Sequence, residues 1–495
     1  MNTLKLILPI CFLLLLSFRS TIAIGTDSIH KQVNEKINSL ESHYKNARSY
    51  LEGEVKESRF VDRQKWESYI RKSGIKFSRE ELYHLKSFQQ KIIDDAAKLA
   101  KKNSVIKLDK IRSKGLSDKF CQLAPKGGAL HLHPSGMAHE KPIREVLEKV
   151  NPLISKSILE KSINPKLAEL YPNELNFLKG VPKTKFNSLN PNIKNKVIEL
   201  FFLPSGNHKF RRFAVAFSFL ELLKSQDLDE KAIIYENFTR LAKSQGIMYQ
   251  ELSKSMKTDE ATLSRYNKLA KTIEDKTDVK TRFIISYGRW KSYQHAMKKT
   301  KQLLKNKIPS NIVGVNLVGH EEGTPLLEAG QGIYPLLNQS EKKLFLTVHA
   351  GEEGDPRNLR DALIMGVDRI GHGVKFQNDP VHLEIARRQA MPIETSVLSN
   401  QKVRVILDIT KHPFLRFQRL GLPVSISTDD EGIFKTDINQ ECSAIVSQTD
   451  IQWSELKAIF YNSIESAFLS KQEKSALHKN LGIQMKQFET IAKDF

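Results

Sequence analysis

Leu344-Phe-Leu-Thr-Val-His-Ala-Gly-Glu352 is the stretch on which the fold turns. Apolar and β-branched residues lead into His349, and Glu352 follows three positions later, so the run reads as a buried strand that delivers an imidazole and a carboxylate at its C-terminal end. In α/β enzymes that end carries the chemistry. A lone strand histidine is more often a hydrogen-bonded structural residue, so the reading needs support elsewhere. Three other places supply it: Leu130-His-Leu-His133, Arg369-Ile-Gly-His-Gly373 and Ile426-Ser-Thr-Asp-Asp430.

Outward from this stretch, strand-like and helix-like runs alternate. Strands are predicted at 128–133, Gly246–Leu252, Arg282–Gly288, Ile312–Gly319, Leu344–Gly351, Arg369–Gly373, Pro392–Leu398 and Pro423–Asp429, with helical patterns such as Gln294–Lys305 and Leu359–Gly366 between them. Eight β/α units, each strand ending in polar or glycine residues, predict an α/β fold, a (β/α)8 TIM barrel over residues 116–495. Residues 24–115 read as a helical N-terminal region. There Ile29, Val33, Ile37, Leu40, Tyr44, Ala47 and Leu51 recur at threes and fours, and Ser78-Arg-Glu-Glu81 has the form of a capping box opening a second helix. These amphipathic faces need a partner, either the barrel or a second subunit. Between about 141 and 210 the barrel rhythm stops: Pro165, Pro172, Pro182 and Pro191 interrupt a stretch made basic by Lys179, Lys183, Lys185, Lys194, Lys196, Lys209, Arg211 and Arg212. It is an insertion after the first strand, either with a small fold or binding surface of its own or as a solvated basic loop.

Residues 1–23 form a separable unit. Lys5 precedes an apolar run from Leu6 to Phe18, and Thr21-Ile22-Ala23 offers small residues for cleavage after Ala23, the pattern of a signal peptide in a run too short for a spanning helix. Export to the extracellular space, or to a periplasm in a bacterium, is the expectation, with no later membrane span. The formal charge of the chain is +22; the leader carries Lys5 and Arg19 and no acid, so removing it leaves two fewer, +20. Such a balance suits polyanions such as glycosaminoglycan or nucleic acid, although lysine-rich composition and solubility produce the same number. Cys11 departs with the leader, and Cys121 and Cys442 have no CxxC spacing. They can pair or stay buried as thiols.

His131 and His133 alternate on one strand, so both side chains point into the barrel mouth. With His349 from the fifth strand and Asp429 from the eighth they make a set of three nitrogens and one oxygen for a single Zn2+ per subunit, with an open position for water. Zinc pulls the pKa of that water toward neutrality and so generates a nucleophile. His372, between two glycines, is the candidate to take the water's proton. Glu352 would donate a proton if burial raises its pKa, and Asp430 is either a second substrate-facing carboxylate or the N-cap of the next helix.

The blocks Pro125-Lys-Gly-Gly-Ala-Leu-His-Leu-His133, Val348-His-Ala-Gly-Glu352, Arg369-Ile-Gly-His-Gly373 and Ser427-Thr-Asp-Asp430 resemble, in order, the signatures of the adenosine deaminases. The leader, helical N-terminal region, insertion and Gly319-His-Glu-Glu322 look like the secreted branch, the adenosine deaminase growth factors. The resemblance implies zinc on His131, His133, His349 and Asp429, protonation of purine N1 by Glu352, and orientation and deprotonation of the attacking water by His372. It also implies contacts of Asp430 to N7 and of the Gly319 backbone to N3. The implied reaction is hydroxide addition at C6 of adenosine, and of 2′-deoxyadenosine, with loss of ammonia; the branch also implies a homodimer through the N-terminal helices. Three positions depart from the pattern. Pro134 and Ser135 stand where family members usually carry an aspartate, Asn316 stands where Asp is usual, and the insertion lacks the branch's paired cysteines.

Two other readings compete. One is a barrel hydrolase acting on a different aminated purine, amide or ester; a dinuclear form would need a bridging lysine or carboxylate where Gly319-His320 stands. The other is a polyanion- or receptor-binding signalling protein with residual activity. Keeping Glu352, His372 and Asp430 together has no physical purpose in an inactive scaffold.

Overall fold

The computed structural model describes residues 28–163, 173–204, 210–223, 228–341, 344–493 and 495. The expected leader, 1–23, and Lys209 of the basic insertion lie outside them. Eight parallel strands form one sheet in sequence order: β1 (Gly127–Leu132), β2 (Ile247–Lys254), β3 (Lys280–Gly288), β4 (Ile312–Val318), β5 (Phe345–Ala350), β6 (Arg369–His372), β7 (Ile393–Thr395) and β8 (Val424–Ile426). A parallel bridge between Leu132 and Asp429 brings the last strand back to the first. Helices surround this sheet, as expected for the (β/α)8 barrel.

The predicted seventh strand ran to Leu398, but the chain turns into a helix at Val397–Lys402. The reason is remote in sequence. The buried Glu441 carboxylate accepts the Val397 and Leu398 N–H groups at 3.1 Å, taking the orphan donors of a helix start. β8 is likewise shorter than the expected Pro423–Asp429, and Asp429 lies in the left-handed region at φ 64°.

Among the described residues five helices precede β1: α1 (Ser28–Lys56), α2 (Arg63–Arg71), which periodicity did not announce, α3 (Arg79–Asn103), and two short ones, Leu108–Ser113 and Ser117–Leu123. The capping box at Ser78 and Glu81 forms as read. The α1 stripe of Val33, Ile37, Leu40, Tyr44, Ala47 and Leu51 is buried, each large apolar member stabilising by ~1.5–3 kcal/mol. Its cover is the chain's own barrel. Arg48 donates to the Ile364 and Leu363 carbonyls, Tyr44 bonds His382, and Trp66 of α2 donates to Asp361.

Between β1 and β2 the chain carries the helices Glu140–Val150, Pro191–Glu199, Phe210–Phe219 and Leu228–Ser244 and a two-stranded ribbon, Leu153–Ile154 with Thr184–Lys185. Phe186, Val197 and Phe201 are fully buried there, so this is packed structure; Lys179, Lys183, Lys185 and Lys196 lie exposed on it, while Arg212 is buried and paired with Glu174. Of the two fates open to Cys121 and Cys442, the structure has the bond: a disulfide ties the helix Ser117–Leu123, before β1, to the helix Ile438–Gln448, after β8. Among the described residues no helix is long and apolar enough to cross a membrane.

Candidate active site

The seam that closes the barrel is also the centre of the candidate site. His133 N–H donates to the Asp429 carbonyl at 3.1 Å, and Asp429 N–H donates to the His131 carbonyl at 3.2 Å. Ser427 Oγ accepts both Leu130 N–H and His131 N–H at 3.0 Å. Three of the four expected metal ligands are thus aligned by backbone hydrogen bonds between β1 and the end of β8.

The side chains converge accordingly. His133 Nε2 lies 3.4 Å from His131 Nε2 and 3.1 Å from His349 Nε2, and Asp429 Oδ1 lies 3.6 Å from His131 Nε2 and 3.3 Å from His133 Nε2. One ligand atom from each of the four falls within 4.8 Å of the others. Three imidazole nitrogens facing one another at such distances repel as lone pairs, and a cation between them removes that repulsion.

The outer hydrogen bonds fit the same purpose. His131 Nδ1 donates to Glu394 Oε2 at 2.7 Å and His349 Nδ1 donates to Asn316 Oδ1 at 3.3 Å, which turns both Nε2 lone pairs inward. Asn316, unusual as a departure from the expected Asp, still orients a ligand. Burial holds His349 well below the ordinary histidine value and pushes His133 down to about 4, so both are the neutral bases a metal requires. Burial would lower His131 too, but its bond to Glu394 raises it. The donor set fits a divalent ion of the zinc type.

Glu352, His372 and Asp429 form a second, overlapping group. Burial, reinforced by the Asp429 charge, lifts the Glu352 carboxyl well above its usual range. Glu321 fixes the turn that carries it, accepting Gly351 N–H at 3.1 Å and Glu352 N–H at 2.8 Å. Burial and nearby His131 push His372 down to about 3. His372 and Asp429 both have positive φ, 66° and 64°, a backbone cost of about 1–3 kcal/mol each that surrounding structure must hold in place. The glycines around His372 serve packing: a Cβ at Gly371 would come 2.7 Å from the His131 ring.

Asp430 is buried next to Asp429. It stands at the N-cap of Glu431–Phe434 without a side-chain capping bond, and its Oδ1 has no partner among the described residues. Its carboxylate is therefore not committed to the helix. Gly136 makes room for it, since a Cβ there would overlap Asp430 Oδ1 at 1.8 Å. Gly319 follows β4 at φ 106°, beneath the Trp290 ring, which a Cβ would strike at 2.6 Å. His320, beside it, pairs with Glu353 on the loop after β5.

Sequence reasoning missed the supporting residues. Glu394 links His131 to Arg369, and Arg369 in turn pairs with Glu251 in the barrel interior. Ser399 donates to Asp429 Oδ2 at 2.8 Å, Asn400 bonds both Glu352 and His372, and His412 bonds Asn400. The only local signal was the placement of Glu394, Ser399 and Asn400 at and just after a strand's C-terminal end.

A family model described as adenosine deaminase matches residues 183–482, more than half of the chain. An adenosine deaminase from Enterococcus faecalis is 29% identical over 188 residues, 38% of this chain and 55% of that protein. An adenine deaminase from Acinetobacter baylyi is 30% identical over 217 residues, 43% of this chain and 64% of that protein. The chain thus spans between about half and two thirds of the length of these curated relatives. Among solved structures, an amidohydrolase from Burkholderia ambifaria with bound Zn superposes with a TM-score of 0.57 at 15% identity, covering 76% of this chain and 95% of that one.

Proposed function

From its place in the adenosine deaminase family, to which this chain belongs, we propose that it is a zinc-dependent hydrolase converting adenosine, and 2′-deoxyadenosine, to inosine or its deoxy form and ammonia. The observation that carries this reading is the overlap of two groups at one strand-end cluster: His131, His133, His349 and Asp429 as cation ligands, and Glu352 and His372 around the same Asp429. A zinc ion held by the first group supplies Lewis acidity, lowering the pKa of a water it binds. The remaining work belongs to side chains. Glu352, neutral because it is buried, gives its proton to ring N1 and so makes C6 electrophilic. His372 orients the attacking water, Asp430 meets N7 with its uncommitted Oδ1, and the Gly319 backbone meets N3. Water adds its oxygen at C6; one of its two protons passes to the amino group, which leaves as ammonia when the C6–N bond breaks, and the other returns Glu352 to its acid form.

Relatives named for adenosine and for adenine both match this chain, and Ser135, where a sugar-contacting aspartate is usual, bonds to Lys254 at 2.7 Å. The deciding experiment is ultraviolet-monitored turnover of adenosine, 2′-deoxyadenosine and adenine, with and without a chelator. Faster turnover of adenine than of either nucleoside replaces the preferred substrate. No ammonia release from any of them with zinc bound refutes the reading. Glu352→Gln should keep zinc and lose about 10²-fold or more in kcat.

The secreted branch, export and a homodimer belong to the same proposal. The buried disulfide supports an oxidising compartment. A dimer would have to use surfaces other than the α1 stripe, which the barrel covers. Polyanion binding through the basic insertion rests on the charge of +22. Heparin retention that falls with salt, compared with and without residues 141–210, tests it.

A further inference from the structure

We propose that Asn400 and His412 are positioning residues whose hydrogen bonds decide which atoms of His372 and Glu352 carry protons; the inference rests on the deaminase reading above. The direction of the relay follows from one backbone group. Phe414 N–H, which can only donate, lies 3.2 Å from His412 Nδ1. His412 Nδ1 therefore accepts, and its ring proton sits on Nε2. The ring is fully buried, which keeps it neutral and excludes a second proton.

Nε2–H of His412 then donates to Asn400 Oδ1 at 3.1 Å. That contact leaves the amide one orientation, because turning it over would set its NH2 against the N–H of His412. Asn400 Nδ2 consequently faces the catalytic pair with two hydrogens and two acceptors, Glu352 Oε1 at 3.1 Å and His372 Nδ1 at 3.1 Å. His372 Nδ1 accepts, so the proton of its neutral ring is on Nε2, the buried atom without a partner among the described residues. Glu352 Oε1 also accepts, which leaves Oε2 as the oxygen open to carry a proton.

One amide thereby sets two proton positions. Glu352 presents O–H from the oxygen that Asn400 does not hold, as a donor to a ring nitrogen must. His372 meets the oxygen arriving at C6 as a hydrogen-bond donor in the resting enzyme, so in this arrangement it orients the water without taking the proton that the sequence reading assigned to it, and it stabilises that oxygen as negative charge grows on it. Turning Asn400 over would reverse both assignments, directing the His372 proton to Nδ1 and the Glu352 proton toward the amide oxygen.

The test has two arms. In full-length, zinc-loaded protein with 15N-labelled histidine, the His372 ring signals are identified by their loss in His372→Gln, and their shifts show which nitrogen bears hydrogen. Protonation at Nε2 supports the relay, and protonation at Nδ1 overturns it. This readout needs no turnover, so an inactive wild-type protein would sink the deaminase reading and leave the relay to be judged by the shifts. The second arm compares His412→Leu, which removes the donor, with His412→Gln, whose amide can restore it. With zinc content and melting temperature held near wild type, His412→Leu should lose about 10–100-fold in kcat with KM within about threefold, and His412→Gln should recover most of the loss. Equal losses in the two variants, or none in either, would overturn the proposal.

Discussion

Replacing Glu394 by Gln isolates the part played by the residue behind the ligands. In the native chain Glu394 Oε2 accepts from His131 Nδ1 at 2.7 Å, while Oε1 accepts from Arg369 and from Thr347 Oγ1 at 3.0 Å. Gln keeps the shape and replaces one acceptor by two donors. If its oxygen turns to His131, the NH2 faces the Arg369 guanidinium, donor against donor. If its oxygen turns to Arg369, the NH2 faces His131 Nδ1, which must then accept, and the ring proton moves to the Nε2 lone pair meant for the metal. Neither orientation serves both neighbours. Loss of such an outer partner weakens metal binding by about 10–100-fold, equivalent to about 1.4–2.7 kcal/mol. Removing one member of a buried ion pair costs about 3–5 kcal/mol of folding stability, moderated here because Arg369 keeps Glu251 and the Ser466 carbonyl. Competition with a chromophoric chelator measures the first effect and urea unfolding the second. A folded Glu394→Gln protein that binds zinc within twofold of wild type refutes the argument that this carboxylate aims His131.

Gly136→Ala should drive a methyl into the Asp430 carboxylate, which lies 1.8 Å from the added carbon; a shift of that size predicts about a 10²-fold fall in kcat/KM with little change in zinc content, and unchanged kinetics would place Asp430 outside the substrate contacts. Glu473 gives a pH signature away from the site. Burial opposes its ionisation, but bonds from Ser470, Lys280 and Arg282 outweigh it and hold the carboxyl at about 2 instead of 4.5. A depressed folded value stabilises fully above the unfolded value, and the contribution disappears as pH falls from about 4.5 through about 2. With the side chain 32% exposed, Glu473→Gln should cost ~1 kcal/mol at pH 7. Paired urea titrations across that range should converge, and an undiminished gap at the acid end would contradict the ion-pair origin.

The barrel, its eight strand positions and the four ligand-type side chains were legible without coordinates. Alternation along a strand puts His131 and His133 on one face whatever surrounds them, and helical periodicity selects the α1 stripe. Both are local properties of the chain. Periodicity could not say what covers that stripe, because a barrel helix and a second subunit offer the same apolar surface. Nor could it say that Cys121 and Cys442 meet, or that the chain leaves β7 at Thr395 because Glu441 caps the following turn. The orienting partners were hidden for the same reason: His131 and Glu394 are 263 residues apart, and Glu352 and Asn400 are 48 apart. A residue type at a strand end says what chemistry a side chain can do. Which lone pair it turns toward a cation or a substrate depends on hydrogen bonds that exist only once the first and eighth strands close on each other.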